Sequence, residues 1–458
     1  MQQVVPEAGP TCFAVAYSGG RDSTALLYAC ARVAQSVGAE VVALHVHHGL
    51  SAHADAWLQH ARTQCEAWAA QGLPVRLCAD KLALNVPVGD SLEAVAREAR
   101  YEALARMARG AGADLVMLAH HRQDQAETFL LQAMRGAGVA GLAAMPERIE
   151  RDGVVWCRPW LDRERSEIES YVAAHGLSYI DDDSNADQRF ARNRLRLSVM
   201  PVWRSQFPQV DQALAHAAQH SADAAWCLAR WADAELKSLS VGALALDATA
   251  WMARPAPERR ELLRHWVQQV AGQSLSRAWV YRLCDEVPAA LMAGRQAHWP
   301  EVSLGLYRGE LSWYGADAQP LPAQGMRPQA PSGAAVRLNV SGPGAYSVPE
   351  WAGVLQVSEA APDQPGVPWS SLAEVRLLPR SGGESFQIAA NRPARCLKKQ
   401  FQSRGVPAWL RHAPLVYSQN RLLFVPALGM DARATVIDPA QSRAHLTWLS
   451  LPAETSKG

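Results

Sequence analysis

Ala14-Val15-Ala16-Tyr17-Ser18-Gly19-Gly20-Arg21-Asp22-Ser23, continued by Thr24-Ala25-Leu26-Leu27, is the stretch that decides the fold. An apolar run stops at Ser-Gly-Gly and a helical pattern begins within a few residues. This predicts strand, tight turn and helix N-terminus. Gly19 and Gly20 let the backbone approach a bulky ligand closely. The N–H groups that open the helix favour phosphate as that ligand. Ser18 and Ser23 add hydroxyls, and Asp22 is suited to a magnesium ion or a cationic substrate. The same residues also suit an ordinary strand–helix turn with Ser or Asp as a cap. No Gly-Lys-Ser/Thr follows, so the turn is not a Walker A loop.

Working outward, residues 1–200 alternate strand and helix, with strands predicted at 13–16, 41–45, 75–78 and 115–119. Right-handed β-α-β units of this kind build a parallel sheet covered on both faces, an α/β fold. Ligands of such sheets sit beyond the carboxyl ends of the strands. The glycine turn is the first of four clusters at those ends. The second is His45-Val46-His47-His48-Gly49-Leu50. Without carboxylates or cysteines at ligand spacing, it favours nucleotide positioning or loop packing over metal. The third contains Arg97 and Arg100, which share a helix face. They form either a solvated helix laced with Glu–Arg pairs or a guanidinium contact to ATP phosphates.

The fourth cluster is Leu118-Ala119-His120-His121-Arg122-Gln123-Asp124-Gln125-Ala126-Glu127-Thr128. A strand is expected to end at His120 and a helix to run from about 123 to 135. Ala126, Phe129, Leu130, Ala133 and Met134 would form its apolar stripe. Asp124 and Glu127 lie side by side near the helix start, where they complement the dipole or hold an ammonium group. A glycine-rich loop follows at 135–142. Residues 181–196 open with acids and end with Arg189, Arg192, Arg194 and Arg196 on a helix expected to stop at Pro201.

The pattern from 207 to about 311 is helical and rich in alanine and tryptophan, with Arg259, Arg260 and Arg264 on one candidate edge. Residues 315–334, rich in proline, glycine and alanine, read as a linker or variable loop. Short β-like runs begin at 335. Between 376 and 411 the bases Arg376, Arg380, Arg392, Arg395, Lys398, Lys399, Arg404 and Arg411 face only the acid Glu384. Interleaved with Phe386, Phe401 and Trp409, they suit a small RNA-binding module, or a solvated face.

At 458 residues, 49% hydrophobic and 19% charged, the chain has the make-up of a globular protein with two or three cored domains. Its eight cysteines contain no C-x-x-C pair, which argues against zinc, iron–sulfur and a redox couple and for reduced cytoplasmic thiols. No apolar run is long enough for a bilayer, and the first one leads into the glycine turn, so neither a membrane span nor a signal peptide is expected. A net charge of +1 decides nothing about nucleic acid, because local patches can hide inside it.

The run Ser18–Ser23 resembles the pyrophosphate loop of the N-type ATP pyrophosphatases, which cleave ATP between the α and β phosphates and adenylate an oxygen of their substrate. With the motifs at 45–50, 96–101, 120–128, 135–142 and 181–196, the chain resembles the tRNA(Ile)-lysidine synthetase family. The resemblance is dense over 15–204 and resumes at 258–264 and 397–409. One departure is Gln123, where the family usually shows an aspartate.

The resemblance implies a Rossmann-like catalytic domain at 1–205, a helical tRNA-contacting domain at 206–314 and a small α+β tRNA-binding domain at 335–458. It implies a two-step reaction using ATP and Mg2+. The C2 oxygen of the wobble cytidine in the CAU anticodon of tRNA(Ile) is adenylated, and free L-lysine then displaces AMP. Ser18, Gly19, Gly20, Arg21 and Ser23 would surround pyrophosphate, and Asp22 would orient magnesium or lysine. His45, Arg97, Arg100 and His120 would contact ATP, while Asp124 and Glu127 would hold the amino groups of lysine. Arg189, Arg192, Arg194, Arg196, Lys398 and Lys399 would meet tRNA, the phosphates being their natural partners. No membrane partner is expected, and homodimerisation stays open. The alternatives are a tRNA thiolase on the same fold, which would want positioned cysteines, and a non-catalytic nucleotide or RNA binder, which would not need the acids.

Overall fold

A computed structural model of the chain describes residues 12–47, 53–82, 92–181, 187–314, 335–351, 353–361, 363–438 and 441–450. Positions 48–50 of the histidine motif, most of the acidic loop at 181–187 and the linker expected at 315–334 lie outside them. The chain divides into two compact units, Met1–Leu228 and Ala229–Gly458.

In the first unit, β1 (Cys12–Ala16), α1 (Arg21–Val37), β2 (Glu40–His47), α2 (Ala54–Ala70), β3 (Val75–Lys81), α3 (Leu92–Gly110), β4 (Leu115–Met117) and α4 (Arg122–Met134) alternate as the pattern predicts. The short α5 (Val139–Leu142), β5 (Arg148–Arg151), β6 (Val154–Cys157) and α6 (Arg165–Ala174) follow. The strand order is β3-β2-β1-β4-β6-β5, parallel except for the β5–β6 pair. Because successive side chains on a strand point to opposite faces, β1 feeds two cores. Phe13 and Val15 pack with Leu26, Leu27 and Trp68 on one face. Cys12 and Ala14 pack with Leu44, Leu104 and Trp156 on the other. Burial on both sides explains the unbroken apolar run. The crossovers leave β1 toward β2 on one side and β4 on the other, so its carboxyl end lies at the switch point where ligands of such sheets bind.

Three local expectations need correction. First, β4 stops at Met117, with the Leu118 N–H still donating to the Cys157 carbonyl of β6 at 2.8 Å and the His121 N–H donating to the Asp124 carboxylate at 3.0 Å where α4 begins. Second, the apolar stripe of α4 is only partly buried. Ala126 is enclosed beside the polar Gln125 and Glu127, whereas Met134 is exposed. Gln125 is satisfied by both backbone groups of Met145, at 2.9 and 3.0 Å, which explains a buried amide on that face. Third, Pro201 does not end the basic helix. That segment runs as α7 (Ala191–Arg194), a π-helical turn Leu195–Val199 and α8 (Met200–Gln206) with Pro201 in its first turn. There, behind a shift in hydrogen-bond register, the N–H that proline lacks is not needed.

In the second unit the stretch expected to be wholly helical also holds strands. Helices Ala256–Ala271 and Arg277–Met292 pack with an antiparallel sheet of Ser240–Gly242, Ala245–Asp247, Glu310–Trp313, Leu304–Tyr307 and Ala297–Trp299, in that order. Trp251, Leu262, Trp266, Leu283, Leu304 and Leu311 fill the space between them. Leu304 and Leu306 alternate with Gly305, a period of two too short to stand out against the helical neighbours. Beyond 335 the described residues are sheet-rich, with one short α-helix, Leu397–Ser403, carrying the lysine pair. Phe386, Phe401 and Trp409 do not form a surface for stacking bases. All three are buried, the first two in a common core with Leu397 and Leu415, and Trp409 stacked on His298 at 5.1 Å between ring centroids.

Gly19 gives the fold a test. Its φ is +85°, and a Cβ built there would lie 2.8 Å from Ile180 Cδ1. Gly38, also left-handed at φ +68°, would meet nothing within 4 Å. Gly38→Ala should therefore cost about 1 kcal/mol from backbone strain alone. Gly19→Ala should cost about 1–3 kcal/mol in all. Urea midpoints of the two variants would measure the difference, and equal losses would mean that Ile180 yields freely.

Candidate active site

The turn after β1 is held by its own hydroxyls. Ser18 Oγ and Ser23 Oγ are 3.0 Å apart, the Gly20 N–H donates to Ser18 Oγ at 3.3 Å, and Ser23 Oγ donates to the Gly20 carbonyl at 2.9 Å. Gly20 caps α1 in extended conformation. The Ile180 N–H donates to the Gly19 carbonyl at 2.9 Å, so the chain after α6 lies along the turn. From β2, buried His45 sets Nδ1 2.9 Å from the Tyr17 carbonyl, and burial lowers its pKa. Arg21 points away to Glu169 at 2.6 Å while keeping Nε 3.3 Å from Asp22.

His121 joins this turn to α4. Its Nε2 lies 3.7 Å from Asp22 Oδ2 and 3.4 Å from Asp124 Oδ2. Burial alone would raise the Asp22 carboxyl, but the neighbouring His121 and Arg21 outweigh it and hold the group below its ordinary range. Asp124 is likewise lowered: His121, Arg192, His120 and Arg196 overcome its desolvation. His120 shows the opposite balance. Burial, assisted by Arg158, Arg192 and Arg100, outweighs Asp124 and pushes its pKa down to about 3.

The basic segment folds back onto the acids. Arg196 grips Glu127 with two contacts of 2.8 Å and reaches Asp124 Oδ1 at 3.0 Å. Arg192 donates to Glu127 at 3.1 Å, to the Asp124 carbonyl at 3.1 Å and to Thr128 Oγ1 at 3.2 Å. Two carboxylates and two guanidinium groups thus compensate one another around Glu127, whose side chain is 1% exposed. Arg189 and Arg194 differ. Both are exposed, Arg189 pairing with Asp187 and Arg194 donating to backbone carbonyls.

The structure therefore brings the turn, Asp22, His45, Asp124, Glu127, Arg192 and Arg196 together around the ends of β1, β2 and β4. Arg100 lies within electrostatic reach of Arg192 and His120, whereas Arg97 is exposed and sits over the Tyr101 ring at 5.2 Å. Lys398 and Lys399 belong to the second unit, exposed and without an ion pair among the described residues. Sequence reasoning passed over His121, for which the His-His doublet was the available signal. It also passed over Arg158, buried with Nη1 donating to the Pro146 carbonyl at 2.8 Å. Ile180 carried no signal at all.

A parallel sheet with a phosphate-type glycine turn at its switch point is the architecture of a nucleotide-binding α/β protein, and residues 1–203 match the family model for the PP-loop domain. Residues 246–312 match the TilS substrate binding domain, and residues 375–448 the TilS substrate C-terminal domain. The chain is 41% identical to the tRNA(Ile)-lysidine synthase of Burkholderia mallei, over 93% of this chain and 90% of that protein. It is 38% identical to that of Ralstonia nicotianae, over 97% and 94%, and 35% identical to that of Pseudomonas aeruginosa, over 98% and 96%. The chain belongs to the tRNA(Ile)-lysidine synthase family. It is accordingly an enzyme, a ligase. No helix among the described residues is long and apolar enough to cross a membrane.

The charge balance sets a pH dependence. His120 is neutral in the fold down to about pH 3, whereas a histidine in the unfolded chain takes up a proton near pH 6.5. The unfolded chain binds more protons in that window, so this contribution is complete above it and declines as pH falls through it. His45, also lowered, acts in the same sense. Asp22 and Asp124 add stability that persists above the ordinary carboxylate pKa and is lost at still lower pH. Urea midpoints of His120→Gln at pH 7, 5 and 4 should fall less steeply than those of the parent protein. Parallel curves would show that His120 is protonated in the fold.

Proposed function

We propose that this enzyme joins free L-lysine to C2 of the wobble cytidine in the CAU anticodon of tRNA(Ile), through an adenylated cytidine, with release of pyrophosphate and AMP. The observation that carries the reading is the chain of contacts that starts at the glycine turn with Asp22, passes through His121 to Asp124 and continues through Arg196 to Glu127, in a chain of this family. Acids beside a nucleotide would repel it unless they had cationic work to do. The tRNA substrate puts the reaction in the cytoplasm.

In this reading the N–H groups opening α1 receive the β and γ phosphates of ATP, and Ser18 and Ser23 exchange their mutual hydrogen bond for phosphate oxygens. Gly19 and Gly20 leave room for that approach, and His45, Arg97, Arg100 and His120 orient the nucleotide. His120, held neutral, can hydrogen-bond to ATP without adding charge. Asp22 fits Mg2+, which commonly takes one carboxylate alongside phosphate oxygens and water. Among the described residues no cluster of three His, Cys, Asp or Glu side chains stands ready for a metal, so phosphates would complete the site. Magnesium bound there would offset the charge that develops on the departing pyrophosphate.

Free lysine is a zwitterion with an extra ammonium, and the four-membered cluster is charged to match. Binding would exchange ion pairs: the amino groups of lysine take the place of guanidinium groups on Asp124 and Glu127, and the partly exposed Arg192 and Arg196 swing from those acids toward the α-carboxylate. The attacking amine must first lose a proton, and a nearby carboxylate is placed to take it. Its nitrogen then bonds to C2 as the C2–oxygen bond breaks and AMP departs with that oxygen. Arg189 and Arg194, exposed at the edge of the same segment, suit tRNA phosphates better than Arg192 and Arg196, which are occupied by the acids. We assign catalysis to 1–205 and grip on the tRNA body to 206–314 and 335–458, with Lys398 and Lys399 in the last.

Two experiments test this. Radiolabelled lysine should enter tRNA(Ile) transcripts, with AMP release requiring both lysine and tRNA. Asp22→Asn and Asp124→Asn should abolish transfer while filter binding of tRNA stays near normal; full transfer by either variant removes that residue from the site. Lys398→Ala and Lys399→Ala should weaken tRNA binding, each lowering the salt slope by about one, with the KM for ATP unchanged. An unchanged slope would exclude phosphate contacts there.

A further inference from the structure

The helix pair Ala256–Ala271 and Arg277–Met292 carries six arginines near its surface whose fates differ, counting Arg254 just before it. Arg254 pairs with Glu235 and Glu258, Arg264 with Glu261, and Arg282 with Glu286. Arg259 is drawn over the buried Trp251 ring at 5.9 Å. Arg260 and Arg277 have no acidic partner among the described residues. Both converge on one ring, Tyr281, with guanidinium carbons 5.2 and 5.4 Å from its centroid. Tyr281 is 45% exposed, well outside the core that holds Leu283 and Val280 on the same helix.

We propose that Tyr281, flanked by Arg260 and Arg277, is a stacking site for an unpaired nucleobase of RNA. This goes beyond the tRNA-ligase reading and rests on it for the identity of the RNA. Arg277 and Tyr281 are four residues apart and share a helix face, while Arg260 reaches the ring from the neighbouring helix. An unpaired base has a π-face for the tyrosine and for a guanidinium plane, and its phosphates supply the anions that the two arginines lack. Arg277, exposed in the first turn of its helix, can swing aside to admit the base between itself and the ring. A tyrosine held only for packing would not need two uncompensated cations around its exposed face.

The test separates ring from charge. Binding of tRNA(Ile) transcript would be measured by filter assay at several salt concentrations, alongside the KM for tRNA and for ATP. Tyr281→Ala should weaken tRNA binding roughly tenfold with an unchanged salt slope, because stacking releases no counterions. Tyr281→Phe should bind like the parent protein. Arg260→Gln and Arg277→Gln should each lower the slope by about one. The KM for ATP and the thermal midpoints should not move. Parent-like binding by Tyr281→Ala would overturn the proposal, as would a Phe variant as weak as Ala. If all four variants bind tRNA normally, the patch serves another partner, such as an acidic protein, and the proposal fails. Lysine transfer by the parent protein is scored separately. Transfer without Tyr281 dependence sinks only this inference; Tyr281-dependent RNA binding without transfer sinks the ligase reading instead.

Discussion

Glu127 is an ionisable side chain enclosed within the fold, and the face that carries the candidate site depends on how its charge is met. An isolated carboxylate in that position would be untenable; paired with Arg192 and Arg196 it is sustained, at a desolvation cost that the ion pairs offset. Removing one partner from such a buried cluster costs about 3–5 kcal/mol, because a bare charge remains. The cluster also ties residues 191–196 to α4. The π-helical turn Leu195–Val199 lies in the same segment and contains Arg196. Arg192 and Arg196 stand four apart, so both reach Glu127 from one face of the segment.

From that cluster the electrostatics spread to the glycine turn through His121. Asp124 is shared between Arg196 on one oxygen and His121 on the other, and His121 continues to Asp22. The turn itself is pressed from the other side by Ile180, whose N–H holds the Gly19 carbonyl. The region where substrate phosphate is expected is therefore bounded by two segments distant in sequence, one charged and one apolar. Both hang on the carboxyl ends of strands buried on two faces, which gives the site a rigid base.

The second unit divides its labour by depth. Most of its basic residues stay at or near the surface, Arg443 being a buried exception, while the aromatics between them go inward. Phe401 and Trp409 serve as anchors, with Arg308 donating to the Gln402 carbonyl at 2.6 Å and Trp409 packing against Gly305. A side chain at Gly305 would sit 2.6 Å from the Trp409 ring, so that glycine is what lets the indole lie close against the strand Leu304–Tyr307. Tyr281, 45% exposed, departs from that inward rule, and Arg260 and Arg277 lie over its ring.

Much of this molecule was legible in its amino-acid order. The apolar run into Ser18-Gly19-Gly20, the repeated strand–helix alternation and the acids at 124 and 127 are local patterns, and local patterns report local structure through periodicity and turn chemistry. They were enough for the parallel sheet, the strand ends where chemistry gathers and the family. They could not say which way a long side chain turns. Arginines at 192, 194 and 196 look alike in sequence, yet two face buried acids and one faces water, because the choice depends on a carboxylate more than sixty residues away. The same holds for Phe386, Phe401 and Trp409, whose interleaving with bases suits a binding surface until the fold supplies an apolar core that outcompetes solvent. Composition and spacing determined the elements and their chemistry; the pairing of Glu127 with Arg192 and Arg196, the role of His121 and the burial of the aromatics were decided by tertiary structure, since desolvation and charge compensation act between residues that meet only when the chain is folded.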